Sequence, residues 1–219
     1  LLEQLAYCVE FGKINKQAPY PPDMKGKDGA DELTKQALDK GISAGDILQK
    51  ALIIGMEKVG VKFRENKVFV PQVLMSAKAM QTAMEHLKPF FQSGTIKRKG
   101  LFVIGTVAGD LHDIGKNLVS MMIEGNGWQV IDLGTDVKPE RFVETAKANP
   151  GCSIGLSALL TTTMSNMEKT VKELKEQIPG IKILVGGAPV NDGFREKIGA
   201  DFYSPDPQGA VEFLSKLVA

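Results

Sequence analysis

Leu101-Phe102-Val103-Ile104-Gly105-Thr106-Val107-Ala108-Gly109-Asp110-Leu111-His112-Asp113-Ile114-Gly115-Lys116-Asn117 opens as an apolar run and becomes, after Gly109, a polar turn carrying an aspartate and a histidine two residues apart. A short, nearly continuous apolar run reads as a strand buried on both faces, as strands in parallel sheets are. Further short apolar runs follow at 130–133, 154–156, 181–185 and 201–203, and each leads into a helical stretch. Five strands alternating with five helices imply a parallel sheet covered on both faces.

For about 120 residues the economical arrangement is a flavodoxin-like (Rossmann-like) doubly wound α/β domain of strand order 2-1-3-4-5. Such folds bind ligands beyond the carboxyl ends of the strands, where strand order reverses between the first and third. The turn at 109–117 lies at that place. So do Ser157-Ala158-Leu159-Leu160-Thr161-Thr162-Thr163 after the third strand and Gly186-Gly187-Ala188-Pro189 after the fourth.

Upstream the period is helical. A short helix is expected over 1–11, then a loop through the proline-rich 15–23. A second helix, 31–40, stops at Gly41. Ser43-Ala44-Gly45-Asp46 has the S-x-x-D spacing that lets a hydroxyl and a carboxylate satisfy free N–H groups at a helix start, and that helix is expected to reach 61. Val70, Val73, Leu74, Ala77, Met80, Met84, Leu87 and Phe91 recur every three or four residues, as one helix face requires, and Pro71 suits its first turn. Four such helices make a small bundle. The polar, glycine-flanked 93–100 marks the boundary, so the expected organisation is a four-helix bundle over 1–92, a linker over 93–100 and the sheet domain over 101–219.

With 27 Lys+Arg against 26 Asp+Glu, the chain lacks the basic excess that phosphate binding favours, and no nucleic-acid partner is expected. Residues 1–100 hold 16 Lys+Arg against 11 Asp+Glu, and 101–219 hold 11 against 15. The two parts differ in character, as two solvated domain surfaces would. No apolar run exceeds six residues, far from the roughly 18–20 of a bilayer span, so no membrane partner is expected. Leu1-Leu2-Glu3-Gln4 shows neither an initiator Met nor a basic segment before an apolar stretch, so the chain reads as trimmed and cytoplasmic. Cys8 and Cys152 are the only cysteines, which excludes a disulfide framework and a cysteine metal cage; Cys152 reads as a packed core thiol.

His112 is the one imidazole of the second half. His86, on the bundle's last helix, reads as solvated. One histidine without cysteines cannot hold a bare transition metal, which takes three or four protein ligands in zinc-type sites. If His112 binds a metal, a macrocycle must supply the other positions. Asp110 can accept the other ring N–H, fixing the tautomer and raising the basicity of the ligand. The same residues fit a structural turn in which His112 merely bonds Asp110, and residue chemistry alone leaves both open.

Asp110-x-His112-x-x-Gly115 resembles the signature of cobalamin-binding domains, and 55–63 with 69–77 resemble the helical cap preceding such a domain in methionine synthase and in the corrinoid proteins of anaerobic methyltransferase systems. The likeness covers about residues 30–219. It implies His112 as lower axial ligand of cobalt, replacing the cofactor's own base, in a loop of Asp110, Leu111, His112, Asp113, Ile114 and Gly115. The displaced nucleotide tail would enter a slot lined by Ser157, Leu159, Thr161, Gly186 and Gly187 and closed by Tyr203, Asp206 and Pro207. Phe63 and Val70 would rest over the upper face of the corrin. Thr163 stands where methionine synthase carries the serine of an aspartate-histidine-serine relay, so the pattern departs but keeps a hydroxyl.

The resemblance further implies a methyl carrier on cobalt with no complete catalytic site of its own. It would serve a substrate-specific methyltransferase, an acceptor methyltransferase delivering to a molecule such as tetrahydrofolate, and a reductive activase. Two other readings use the same motif: a cobalamin-dependent sensor, which needs a signalling module, and a detached cobalamin subunit of a mutase, which lacks this bundle. A flavodoxin-like protein without a corrinoid is the remaining alternative. The methyl donor, whether methanol, a methylamine, a betaine or a methoxylated aromatic, is not written in the chain, and the proline-rich 18–24 reads as an insertion.

Overall fold

Apolar residues three and four apart fold the N-terminal part into Leu2–Glu10 (α1), Ala30–Asp39 (α2), Ala44–Ile47 (α3), Ile53–Arg64 (α4) and Val70–Gln92 (α5). The computed structural model describes residues 1–218. The Ser43 hydroxyl accepts from the Asp46 N–H (3.0 Å) and lies 2.9 Å from its carboxylate, so the acid returns to the capping side chain rather than to the backbone. From there the helix continues through a π-helical segment, Leu48–Leu52, into α4. The wider turn keeps Ile47, Leu48, Leu52 and Met56 inward together.

In this unit α1 packs on α2, α4 and α5, and α5 also packs on α2 and α4. His86, expected to be solvated, has Nε2 2.6 Å from Asp31 Oδ1, joining α5 to the start of α2. Lys13 is fully buried, and its Nζ donates to the Ala18 carbonyl at 2.7 Å. That bond ties down the proline-rich segment, where Pro22–Met24 forms a short 3₁₀ turn and buries Met24. The 93–98 stretch folds back on α5, with the Ile96 N–H donating to the Phe90 carbonyl and Arg98 lying 4.2 Å above the Phe91 ring. The described residues cluster into Leu1–Arg98 with Gly125–Gly127, and Lys99–Glu124 with the chain from Trp128 onward.

The second unit alternates Leu101–Thr106 (β1), Ile114–Gly125 (α6), Gln129–Asp132 (β2), Pro139–Ala148 (α7), Ser153–Ser157 (β3), Met164–Gln177 (α8), Lys182–Gly186 (β4), Asp192–Ile198 (α9), Phe202–Tyr203 (β5) and Pro207–Leu217 (α10). All strand pairs are parallel and the order is β2-β1-β3-β4-β5, the doubly wound order expected. On one face Val103, Ile154 and Val185 share a core with Phe142 of α7, Met167 of α8 and the partly buried Phe194 of α9. Strand side chains alternate, so Phe102, Ile104 and Leu184 face the other layer, where α6 and α10 bury Ile123, Val211 and Leu214 outside that core. Phe102 lies over Gly155 so closely that a β-carbon there would sit 2.4 Å from its ring. Cys152 is buried in the first core. Among the described residues no helix is long and apolar enough to cross a membrane.

Candidate functional site

Where β1 gives way to α6, the chain turns through Gly109 at φ +80° and brings Asp110 beneath the loop that follows β3. The Asp110 side chain is 0% exposed. Its Oδ1 accepts from the His112 N–H (3.1 Å) and lies 2.8 Å from His112 Nδ1. Its Oδ2 accepts from the Leu159 N–H (2.7 Å), the Leu160 N–H (3.2 Å) and the Thr163 hydroxyl (2.8 Å). Burial by itself raises a carboxyl pKa, but the bonds from the His112 ring and backbone, from Leu159 and from Thr163 outweigh it and hold Asp110 well below the usual carboxylate range.

A carboxylate only accepts hydrogen bonds, so Nδ1 of His112 is the donor, and in the neutral ring it is Nε2 that carries the lone pair. The imidazole is 50% exposed. One nitrogen is therefore fixed from within by the carboxylate, on a ring that is itself half exposed.

Neighbouring bonds hold this turn from several elements. The Thr106 hydroxyl donates to the His112 carbonyl (2.8 Å), the Gly109 N–H to Asp136 Oδ1 (2.7 Å), and the Asn166 amide to the Ala108 carbonyl (2.7 Å). Lys116, nearly buried, pairs with Asp132 at the end of β2 and donates to Asn117, whose own amide reaches Asp113. Asp136 and Asn166 were not marked by the sequence, because each acts through a backbone partner far along the chain; Thr106 was missed although the His112 carbonyl it bonds is only six residues away. Lys116 and Asn117 stand inside the motif stretch and could have been marked there.

The loops that carry these bonds also expose apolar side chains: Leu111 is 74% exposed, and Ile114, Leu159 and Leu160 are exposed as well. Gly186 has nothing within 4 Å of where a β-carbon would stand, and Ser157 pairs with it across β3 and β4. Gly187, at φ +123°, leaves no such room, since a β-carbon there would sit 1.8 Å from the Ala158 carbonyl oxygen. Thr161 opens the short helical turn after β3, and the Gly115 backbone stands in α6's first turn with open space beside it. At the far end of the same strand edge Tyr203 closes β5, and Asp206 caps α10 by accepting from the Gly209 N–H, with Pro207 as its first helical residue. Phe63 on α4 and Val70 at the start of α5 are half-buried residues of the helical unit. Among the described residues no group of three or more His, Cys, Asp or Glu could hold a metal ion.

Residues 100–211 match the B12 binding domain family, and residues 26–88 match a second family of that description. A corrinoid protein of Desulfitobacterium hafniense (strain Y51) is 40% identical over 192 residues, covering 85% of this chain and 89% of its own length. Dimethylamine corrinoid protein 1 of Methanosarcina acetivorans is 41% identical over 181 residues, with 81% of this chain and 85% of that protein covered. A chain in the crystal structure of the methanol:cobalamin methyltransferase complex from Methanosarcina barkeri is similar at a TM-score of 0.81 and 29% identity, over 99% of this chain and 79% of that one. By the domain match and by identity across most of its length to proteins of that kind, the chain belongs to the B12-binding corrinoid proteins.

Proposed function

We propose that this protein carries a methyl group on the cobalt of a corrinoid, with His112 Nε2 as lower axial ligand, between a substrate-specific methyltransferase and a second methyltransferase that delivers it to an acceptor. The observation that carries the reading is the fully enclosed Asp110 carboxylate gripping Nδ1 of a half-exposed imidazole. A metal centre with one protein ligand must bring its other ligands with it, which suits a macrocycle and the absence of a three-ligand cluster among the described residues. The exposed apolar side chains of Leu111, Ile114, Leu159 and Leu160 suit the flat, apolar face of a corrin ring, and the open space at Gly186 suits a tail displaced from the metal. The site residues therefore fit the group.

When bound, the corrinoid supplies a cobalt centre that accepts and releases a methyl group, and the hard chemistry is its own. The chain's residues orient and tune that centre. Asp110 sets the tautomer of His112 and raises its basicity. Thr163 and the Leu159 and Leu160 N–H groups keep Asp110 ionised, and the apolar rim excludes water from the ligand bond. Phe63 and Val70 of the helical unit would shield the bound corrinoid, as the family resemblance implies. The domain match and the named relatives favour a carrier over a sensor or a mutase subunit, and the relatives' names make methylamine or methanol systems the first to try. A reductive activase completes the expected set of partners.

The test is reconstitution with hydroxocobalamin. The wild-type protein should keep a stoichiometric chromophore through desalting, with the spectrum of imidazole coordination. His112→Ala should stay folded and lose that spectrum. An unchanged spectrum in the variant would refute His112 as the ligand.

A further inference from the structure

Beyond the residues already assigned, the layer formed by α6 and α10 holds an unexplained polar group. Gln208, in the first turn of α10, is 5% exposed, yet its carboxamide oxygen is enclosed and has no hydrogen-bond partner. Ser120 of α6, the other helix of this layer, has its hydroxyl enclosed and unpartnered as well. Buried polar atoms are nearly always satisfied, and an exception calls for a missing partner.

The position of Gln208 indicates where such a partner lies. It stands three residues before the buried Val211 and so shares the inward face of α10. Helical side chains lean toward the helix N-terminus. In α10 that end follows directly on β5, at the carboxyl edge of the strands. On the strand face opposite Val103 and Ile154, β3 presents only Ser153, Gly155 and Ser157, and β4 ends in Gly186 with empty space where a side chain would begin. Small residues on the sheet and an unmet acceptor on the covering helix thus share one layer at one edge.

We infer that Gln208 accepts a hydrogen bond from a ribose hydroxyl of the corrinoid's nucleotide tail, and that this contact makes the protein prefer corrinoids with the tail to those lacking it. The inference rests on the corrinoid reading above and adds to it a residue that selects among corrinoids. Ser120 serves as a weaker contact in the same layer.

The test compares spectral titrations of the apoprotein with hydroxocobalamin and with cobinamide, which has the same ring without the nucleotide. In Gln208→Met, which keeps the side chain's volume, the dissociation constant for hydroxocobalamin should rise about fivefold to tenfold, the worth of one neutral hydrogen bond, while that for cobinamide stays fixed. Thermal melting of the apoprotein should show no loss, because the amide oxygen has no partner to give up. Equal weakening for both corrinoids, no weakening for either, or a clear fall in apoprotein melting temperature would overturn the inference. A wild-type protein that retains neither compound would overturn the corrinoid reading with it.

Discussion

Asp110 and Asp201 are two carboxylates of one sheet unit, both held below the usual range, at opposite ends of the strands. Asp201 lies before β5, where its Oδ2 accepts from Lys175 (2.5 Å) and from the Ile183 N–H (2.9 Å), with Lys182 3.4 Å from Oδ1. Burial pushes its pKa up, and Lys175, the Ile183 N–H and the charge of Lys182 bring it down further. Asp110 lies after β1, wholly enclosed, and no lysine or arginine stands among its hydrogen-bond partners. A depressed carboxylate therefore does not by itself mark a functional site. Asp201 spends its charge on lysines and thereby pins an edge strand. Asp110 directs its charge into a half-exposed imidazole.

That difference is best broken by deletion. Asp110→Ala leaves the Leu159 and Leu160 N–H groups and the His112 N–H without their acceptor, while the Thr163 hydroxyl keeps only the Leu160 carbonyl. It should cost about 3–5 kcal/mol of unfolding free energy, as removing one member of a buried charged network does. Asp201→Ala should cost about 1–3 kcal/mol, since Lys175 and Lys182 are partly exposed and regain water. Urea unfolding of the two variants checks the order; a larger loss at Asp201 would mean that Asp110 is stabilised mainly by something other than these bonds.

Acid titration sharpens the same contrast. A carboxyl with a depressed folded pKa contributes stability that is present in full above its unfolded pKa, about 3.9 for Asp, and that fades as pH falls toward the folded value. Stability should decline below about pH 4, and Asp110→Asn should flatten that decline more than Asp201→Asn. Equal slopes for the wild type and Asp110→Asn would contradict the depressed pKa. In the helical unit the sign reverses at Cys8, whose thiol burial pushes up to about 11. Its contribution holds at neutral pH and is lost only as pH climbs from about 8.5 toward that value. Native Cys8 should accordingly resist alkylation at pH 8 until the protein unfolds.

The two units also differ in how far the sequence could be read. Each strand was marked by its own apolar run, and the order of the sheet follows from strands and helices alternating, so the sheet topology was legible. The switch-point rule then led to Asp110 and His112, because chemistry there is concentrated in a few adjacent residues. The π-helical segment 48–52 was invisible to a 3.6-residue period, since one extra residue per turn shifts the face without altering composition. Lys13 was equally hidden, for its burial depends on a carbonyl at Ala18 that no pattern announces. The Asp136 and Asn166 contacts escaped for the same reason: they join side chains to the backbone at Gly109 and Ala108, 27 and 58 residues away. Gln208 could not be suspected before its burial was known.

The smallest effect is expected at Thr163, where the sequence departs from the serine of the related pattern. Its hydroxyl lies 2.8 Å from Asp110 Oδ2 and 2.9 Å from the Leu160 carbonyl. With one proton to give, it favours the charged acceptor. Thr163→Val removes that donor but leaves Oδ2 the Leu159 and Leu160 N–H groups, so the loss should be about 1 kcal/mol. Thr163→Ser keeps the hydroxyl and gives up only a methyl that would stand 3.6 Å from a β-carbon at Gly109, so it should cost less than Thr163→Val. Chemical denaturation of both variants decides the matter. If serine costs as much as valine, the methyl's packing and not the hydroxyl accounts for threonine at this position, and the relay from Thr163 through Asp110 to His112 has no energetic basis.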